Sequence, residues 1–226
     1  MADIIEPTRS ASAARTETRS ASSAGVGRLA IAVAKPVVFA ALLALATMAG
    51  RIPIPGTPVP ITLQTFVVMV AALTMSRRQA AAAIALYLAA GAAGLPVFAG
   101  GASTAALFGP SAGFLLGFLP AAIVTAWLKG SAPRMASNTE PLDAASDSAS
   151  RLAHVALTAA RYFAAAVIGC IVLDYLIGFT VQSAITGMPF GTVALASMGF
   201  VAGDLVKAIV ASLVIAGVTG LARSRR

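Results

Sequence analysis

The sequence predicts an all-α integral membrane protein, a compact bundle of six transmembrane helices with both termini in the cytoplasm. Hydrophobic residues make up 58% of its 226 residues and charged residues only 11%, a balance typical of membrane proteins. Because about 20 apolar residues span a bilayer as a helix, this length suits one bundle rather than several domains. The apolar residues fall into six segments, and the basic residues gather on one side of them.

Residues 1–34 come first and are predicted to form a disordered, basic cytoplasmic tail. Ser, Thr, Ala and Arg dominate this stretch, which has no periodic apolar face. A signal peptide would place an apolar core directly after a short basic region, and the order here is different.

The membrane domain is predicted over residues 35–222. Its helices are expected near residues 35–50, 61–76, 79–94, 111–128, 154–178 and 192–221. The polar, Ser- and Pro-rich stretch "GSAPRMASNTEPLDAASDSASR" lies after the fourth segment. It predicts an exposed cytoplasmic loop over residues 129–152.

The distribution of the basic residues predicts the orientation. With the N-terminus in the cytoplasm, the inner side receives all but two of the 16 lysines and arginines: Arg9, Arg15, Arg19, Arg28, Lys35, Arg77, Arg78, Lys129, Arg134, Arg151, Arg161, Arg223, Arg225 and Arg226. Arg51 falls in an outer loop and Lys207 within a helix. This bias over short loops is the positive-inside pattern. The positive-inside pattern accounts for the net charge of +8, so nucleic-acid binding is not expected.

The sequence offers little for catalysis or metal binding. Cys170, the single cysteine, lies within a predicted helix, and the single histidine, His154, lies at the edge of the polar loop. Neither a disulfide nor a zinc site is therefore expected. No serine is paired with an intramembrane base, and no GxxxxGK[ST] loop is present for ATP hydrolysis. We predict no enzyme activity, no catalytic residue, no metal and no cofactor.

A proline-rich segment is predicted to lie on the outer side. In "GRIPIPGTPVPITLQTF", residues 50–66, four prolines fall between Pro53 and Pro60. Proline fixes one backbone dihedral and donates no hydrogen bond, which predicts a stiff, extended loop suited to a lid. Gln64 follows at the mouth of the second helix, and its amide both donates and accepts. Ligand binding and a purely structural role both stay open for Gln64.

Residues 91–113, "GAAGLPVFAGGASTAALFGPSAG", form a second irregular segment. Glycines and prolines break the helix there, while apolar residues keep the chain near the membrane. Because non-helical backbone at that depth needs protein or a water-filled cavity around it, the segment predicts a pocket wall. Phe98 either offers the ligand a flat apolar surface or simply packs against its neighbours.

Asp204 and Lys207 stand three positions apart in the apolar run "GFVAGDLVKAIVASLVIAGV". This spacing places them on one face of the last helix, one turn apart. A charged group at such depth costs about 2.5–3.5 kcal/mol, so the pair requires a compensating role. A structural ion pair and a recognition site for a polar ligand with an acidic tail are both open. Asp174 and Tyr87 are further candidate substrate-binding residues.

Several linked motifs resemble the BioY family, the biotin-binding S component of energy-coupling-factor (ECF) transporters. They are "PVPITLQT" from Pro58 to Thr65, "GLPVFAGG" followed by "FGPSAGFLLGF", and "GDLVKA" in the last helix. The resemblance implies a six-helix protein in the bacterial inner membrane that binds biotin tightly in a pocket beneath the first outer loop. Carried over to the matching motif, it gives Asp204 and Lys207 as polar contacts to biotin.

The resemblance also implies partners, namely a transmembrane coupling protein and two cytoplasmic ATPases. Ala40 and Ala44 lie four apart in the first helix, where small residues allow close helix approach. They are candidates for docking to the coupling protein, with ordinary packing as the alternative. A homo-oligomer is also open, as is an S component for another vitamin or small solute.

Overall fold

The computed structural model describes residues 33–130 and 144–224, and these residues are mostly helical. The predicted tail therefore lies outside the described residues except for Val33 and Ala34, which are helical, and residues 131–143 of the predicted loop lie outside them too. The chain divides into the units Met1–Lys35 and Pro36–Arg226. The site described below lies within the second unit.

Helices occupy the positions of the predicted apolar segments. They are α1 Val33–Met48, α2 Gln64–Thr74, α3 Arg77–Ala92, α4 Ala112–Leu128, α5 Ala144–Ala166, α6 Asp174–Thr186, α7 Phe190–Ala196 and α8 Met198–Ser224. By length and composition, Leu152–Thr186 and Met198–Gly220 are able to cross a membrane, whereas α1, α2 and α4 are apolar but shorter. The number of membrane spans accordingly stays a prediction.

The proline-rich segment corrects the prediction of an all-α fold. It is extended, as predicted, but it pairs with itself as an antiparallel hairpin of β1 (Arg51–Ile54) and β2 (Thr57–Thr62). Arg51 is opposite Thr62, and Ile52 is opposite Ile61. A two-stranded hairpin consists only of edge strands, which tolerate proline because half of their backbone groups have no partner strand.

Several helix boundaries also differ from the predictions. Helix α6 continues to Thr186, eight residues past the predicted end at 178. Residues 144–151, predicted as part of the polar loop, belong to α5, since their alanines favour a helix despite the polar residues between them. The last predicted helix is split at Ser197 into α7 and α8.

The segment after α3 is irregular, as predicted. Its backbone forms two short 3₁₀ turns, Ala99–Gly101 and Thr104–Leu107, and Phe98 pairs with Ala102 in an isolated bridge. Thr104 donates to the carbonyl of Ala92, which α3 leaves unbonded at its end. The segment therefore returns the chain to the start of α4 without a further helix.

Helix α4 lies at the centre of the packing and contacts α2, α3 and α6, while α8 packs against α2 and α5. The contact of α4 with α6 is close: a Cβ at Gly113 would lie 2.6 Å from Val181 Cβ and 2.9 Å from Gly178 Cα. Small residues allow such an approach without a solvent-driven core.

A π-helical segment, Val167–Leu173, joins α5 to α6. The wider turns of a π-helix change which side chains face a neighbouring helix, and they are frequent at functional sites. Asp174 follows directly, and its side chain is completely buried. The segment thus helps to direct an acidic side chain into the interior.

Candidate functional site

A cavity of about 190 Å³ lies beneath the β-hairpin. Its wall is built by the hairpin, the start of α2, the irregular segment after α3, the start of α4, one turn of α6 and two turns of α8. The residues that line it are Arg51, Pro58, Val59, Pro60, Ile61, Thr62, Gln64, Thr65, Phe98, Ala99, Ala102, Ala106, Ser111, Phe114, Leu115, Phe118, Asp174, Tyr175, Phe200, Asp204 and Lys207. Both irregular segments therefore contribute to one pocket.

Asp204 and Lys207 form an ion pair inside this cavity. Lys207 Nζ lies 2.8 Å from Asp204 Oδ1, and the two side chains are 13% and 6% exposed, respectively. One turn of α8 separates the two residues, so their predicted common face is confirmed. The pair also lines the cavity. The structural ion pair is therefore present, and recognition of a ligand by the pair stays a prediction.

The ammonium of Lys207 has no unused donor. It donates to the Thr62 carbonyl at 2.6 Å, to Thr65 Oγ1 at 2.9 Å and to Asp204 Oδ1 at 2.8 Å. An ammonium group carries three donors, and all of them are occupied. Lys207 therefore connects α8 to β2 and to the start of α2, and it neutralises Asp204.

The carboxylate of Asp204 keeps one acceptor position. Its Oδ1 accepts from Lys207 and from the Thr65 hydroxyl at 2.8 Å, whereas Oδ2 accepts from the Tyr175 hydroxyl at 2.7 Å. Because a carboxylate offers about four lone-pair positions, one remains on Oδ2 for a donor in the cavity.

Asp174 lines the same cavity and has both carboxyl oxygens unpaired within the part of the chain that the structure describes. It lies against Gly117 of α4, where a Cβ would collide with Oδ1. A buried polar group without a partner is costly, so a ligand that supplies a donor would gain from this site.

The described residues show no cluster of three or more His, Cys, Asp or Glu side chains able to hold a metal ion. Polar groups inside an otherwise apolar and aromatic cavity are typical of a small-molecule site.

Sequence comparison identifies the family. A sequence model of the BioY family matches residues 16–224 of this chain. The chain belongs to the BioY family.

Individual relatives agree with this membership. The biotin transporter BioY of Rhizobium etli is 34% identical over 177 residues, which cover 78% of this chain and 86% of the relative. A probable biotin transporter BioY of Bacillus subtilis is 33% identical over 183 residues, covering 80% of this chain and 87% of that protein. Both relatives are named as transporters, not as enzymes.

A solved structure shows the same fold. The crystal structure of the S-component for biotin from an ECF-type ABC transporter matches with a TM-score of 0.68 at 20% identity. The match covers 85% of this chain and 93% of the other. This member of the BioY family therefore has the mostly helical fold of that S-component.

Five of the six residues predicted to bind substrate line the cavity: Asp204, Lys207, Gln64, Phe98 and Asp174. The sixth, Tyr87, does not. Its hydroxyl accepts from Gln64 Nε2 at 2.9 Å and donates to the Val97 carbonyl at 3.1 Å, and its ring meets Phe98 edge-on at 5.2 Å. Tyr87 thus stands behind the wall and positions Gln64 and Phe98.

Several lining residues in this BioY-family chain were not predicted as substrate contacts. Phe114, Tyr175 and Phe200 form mutual edge contacts, with ring centroids 6.1–6.4 Å apart. They stand on α4, α6 and α8, which the sequence does not show to be neighbours. Two of them stand directly beside glycines, in "AGF" and "MGF", where a small residue gives a ring room to turn inward.

The proposed docking residues lie within the chain's own packing. Ala40 is 8% exposed in the hydrophobic core, and Ala44 is half-buried against the same core. Their burial favours the packing alternative, and docking through them stays a prediction.

Proposed function

We propose that this chain is the biotin-binding subunit of a membrane transporter and mediates biotin uptake. Its membership of the BioY family and its two relatives named as biotin transporters support this proposal. The observation that carries it is a pair of acidic side chains, Asp204 and Asp174, with unoccupied acceptor positions in an aromatic cavity.

The chemistry of biotin matches these acceptors. Its ureido ring presents N–H donors, which suit the free position on Asp204 Oδ2 and the unpaired oxygens of Asp174. The apolar sulfur-containing ring and the aliphatic chain would pack against Phe98, Phe114 and Phe200. Lys207 then acts mainly through Asp204, because its own donors already bind Thr62, Thr65 and that carboxylate.

We place the chain in the bacterial inner membrane as a multi-pass protein of six spans with both termini in the cytoplasm. The asymmetry of the basic residues and the S-component fold support this topology. The cavity then opens outward beneath the hairpin, and residues 1–34 and 129–152 face the cytoplasm.

The solved relative is a component of an ECF-type ABC transporter, which supports a similar assembly here. We therefore propose a transmembrane coupling protein and two cytoplasmic ATPases as partners. A homo-oligomer that works alone is the alternative arrangement.

Isothermal titration of detergent-purified protein with biotin tests the function directly. We expect saturable binding, and the D204A variant should bind at least about tenfold more weakly, because a hydrogen bond to a charged group contributes about 1.5–3 kcal/mol. Riboflavin serves as the control ligand. Absence of biotin binding by folded wild-type protein would contradict the proposal. Binding of another vitamin instead would indicate a transporter subunit of the same fold for that vitamin.

A further inference from the structure

Arg51 is the one described residue that brings an unengaged cation to the cavity. It begins β1 opposite Thr62, and it lines the cavity at the hairpin. No hydrogen bond or ion pair of its guanidinium occurs within the described ranges, 33–130 and 144–224. We infer that Arg51 binds the carboxylate at the tail of the ligand and thereby selects the free acid.

The backbone around Arg51 makes room for the guanidinium. Gly100, in the first 3₁₀ turn, has a positive φ of 73°, and a Cβ at that position would collide with Arg51 Nη1. A side chain at position 100 would therefore occupy the place where the guanidinium lies. The irregular segment and the hairpin meet around this cation.

Among the described charged side chains that line the cavity, Arg51 is the best partner for the carboxylate of the ligand. Lys207 has its three donors engaged, and the carboxylate oxygens of Asp204 accept hydrogen bonds rather than donate them. A guanidinium offers a planar fork that can hold both oxygens of a carboxylate. Arg51 is also exposed, which is the position expected for a group that meets the outward end of a ligand.

The position of Arg51 in the hairpin would allow one ligand to contact two elements at once. Thr62 is opposite Arg51 in the hairpin, and its carbonyl accepts from Lys207. A ligand with its head at Asp204 and its tail at Arg51 would therefore bridge α8 and the hairpin. The inference rests on the proposed biotin function and adds to it the discrimination between the free acid and its amides.

The test compares biotin with biotinamide, whose tail is uncharged, on wild-type protein and on R51Q, R51K and R78Q. Arg78 is an exposed arginine of α3 that does not line the cavity, so R78Q is the matched control for charge. Wild-type protein and R78Q should prefer biotin by about tenfold or more. R51Q should bind biotin about tenfold more weakly and biotinamide as wild type does, whereas R51K should keep part of the preference.

The outcomes separate the inference from the function on which it rests. If R51Q weakens both ligands equally, Arg51 supports the wall rather than the carboxylate, and the inference fails. It also fails if R51Q retains the wild-type preference, or if wild-type protein binds both ligands alike. Wild-type protein that binds neither ligand would overturn the function and the inference together.

Discussion

The pairing of Asp204 with Lys207 shows how a charged site is accommodated inside an apolar bundle. Removing two charges from water is costly, and attraction between them offsets that cost only if the remaining hydrogen-bonding positions are filled. Here Thr65, Tyr175 and the Thr62 carbonyl fill nearly all of them. The pair therefore connects α8 to β2, α2 and α6, and it leaves one acceptor for a ligand.

Substitutions of Asp204 and Lys207 distinguish a role of the ion pair in stability from a role in biotin binding. K207M should lower the stability of the protein by about 3 kcal/mol, because it leaves Asp204 buried without a counter-charge. The double variant D204N/K207M removes both charges and should recover most of that stability, yet it should still bind biotin poorly. The midpoint of thermal unfolding in detergent and a biotin titration measure the two effects.

Two results would contradict this account. A double variant as unstable as K207M would mean that charge compensation does not explain the loss. Wild-type biotin affinity in the double variant would mean that the pair has a structural role only.

The sequence predicts part of this site from local geometry alone. The common face of Asp204 and Lys207 follows from their spacing, because helical residues three apart are neighbours. The bond from Tyr175 to Asp204 joins residues 29 positions apart, and no local pattern encodes it. Whether Tyr87 faces the cavity or the residues behind it likewise depends on packing between elements, which no local pattern encodes.

At the scale of elements, apolar runs and helix breakers predict most of what is observed. The hairpin was missed because four prolines argue against strands in general, and a two-stranded hairpin is the exception. The π-helical segment Val167–Leu173 was missed because its composition is that of an ordinary apolar helix. The π-helical segment packs against α4, and a local sequence pattern cannot predict a contact between parts of the chain that are so far apart in sequence.

The contact between α4 and α6 depends on the absence of a side chain at Gly113. We expect G113A to lower the thermal unfolding midpoint, because its Cβ would meet backbone atoms of Gly178 and Ile177 at 2.9 Å, and these cannot rotate away. G217A in α8 is the matched control, since nothing lies within 4 Å of its new Cβ. That variant should be neutral or more stable by about 0.5–1 kcal/mol.

Equal effects of the two substitutions would contradict a specific approach of α4 to α6. Because Gly113 precedes Phe114 of the cavity wall, G113A should also weaken biotin binding, and G217A should not.

At the scale of the whole molecule, the unequal distribution of basic residues predicts which loops face the cytoplasm. Arg77 and Arg78 begin α3 directly after the short turn that follows α2, whereas the segment between α3 and α4 carries no charged residue. The positive-inside pattern places the first turn in the cytoplasm and the second segment outside. With this orientation the cavity is predicted to open outward, since that segment forms part of its wall.

Single-cysteine labelling in intact cells tests the assignment, because the sequence contains one natural cysteine, Cys170, and this residue is buried. In a C170A background, A105C lies in the exposed segment before α4, and S76C lies at the exposed turn before α3. A membrane-impermeant maleimide should label A105C in intact cells and S76C only after the membrane is opened. Retained biotin binding by both variants ensures that the folded protein is labelled, which matters because S76C also removes a helix cap that contributes about 1 kcal/mol. Labelling of S76C from outside, with A105C protected, would show that the topology is the reverse of the predicted one. The hairpin and its cavity would then lie on the cytoplasmic side, where uptake from outside could not begin.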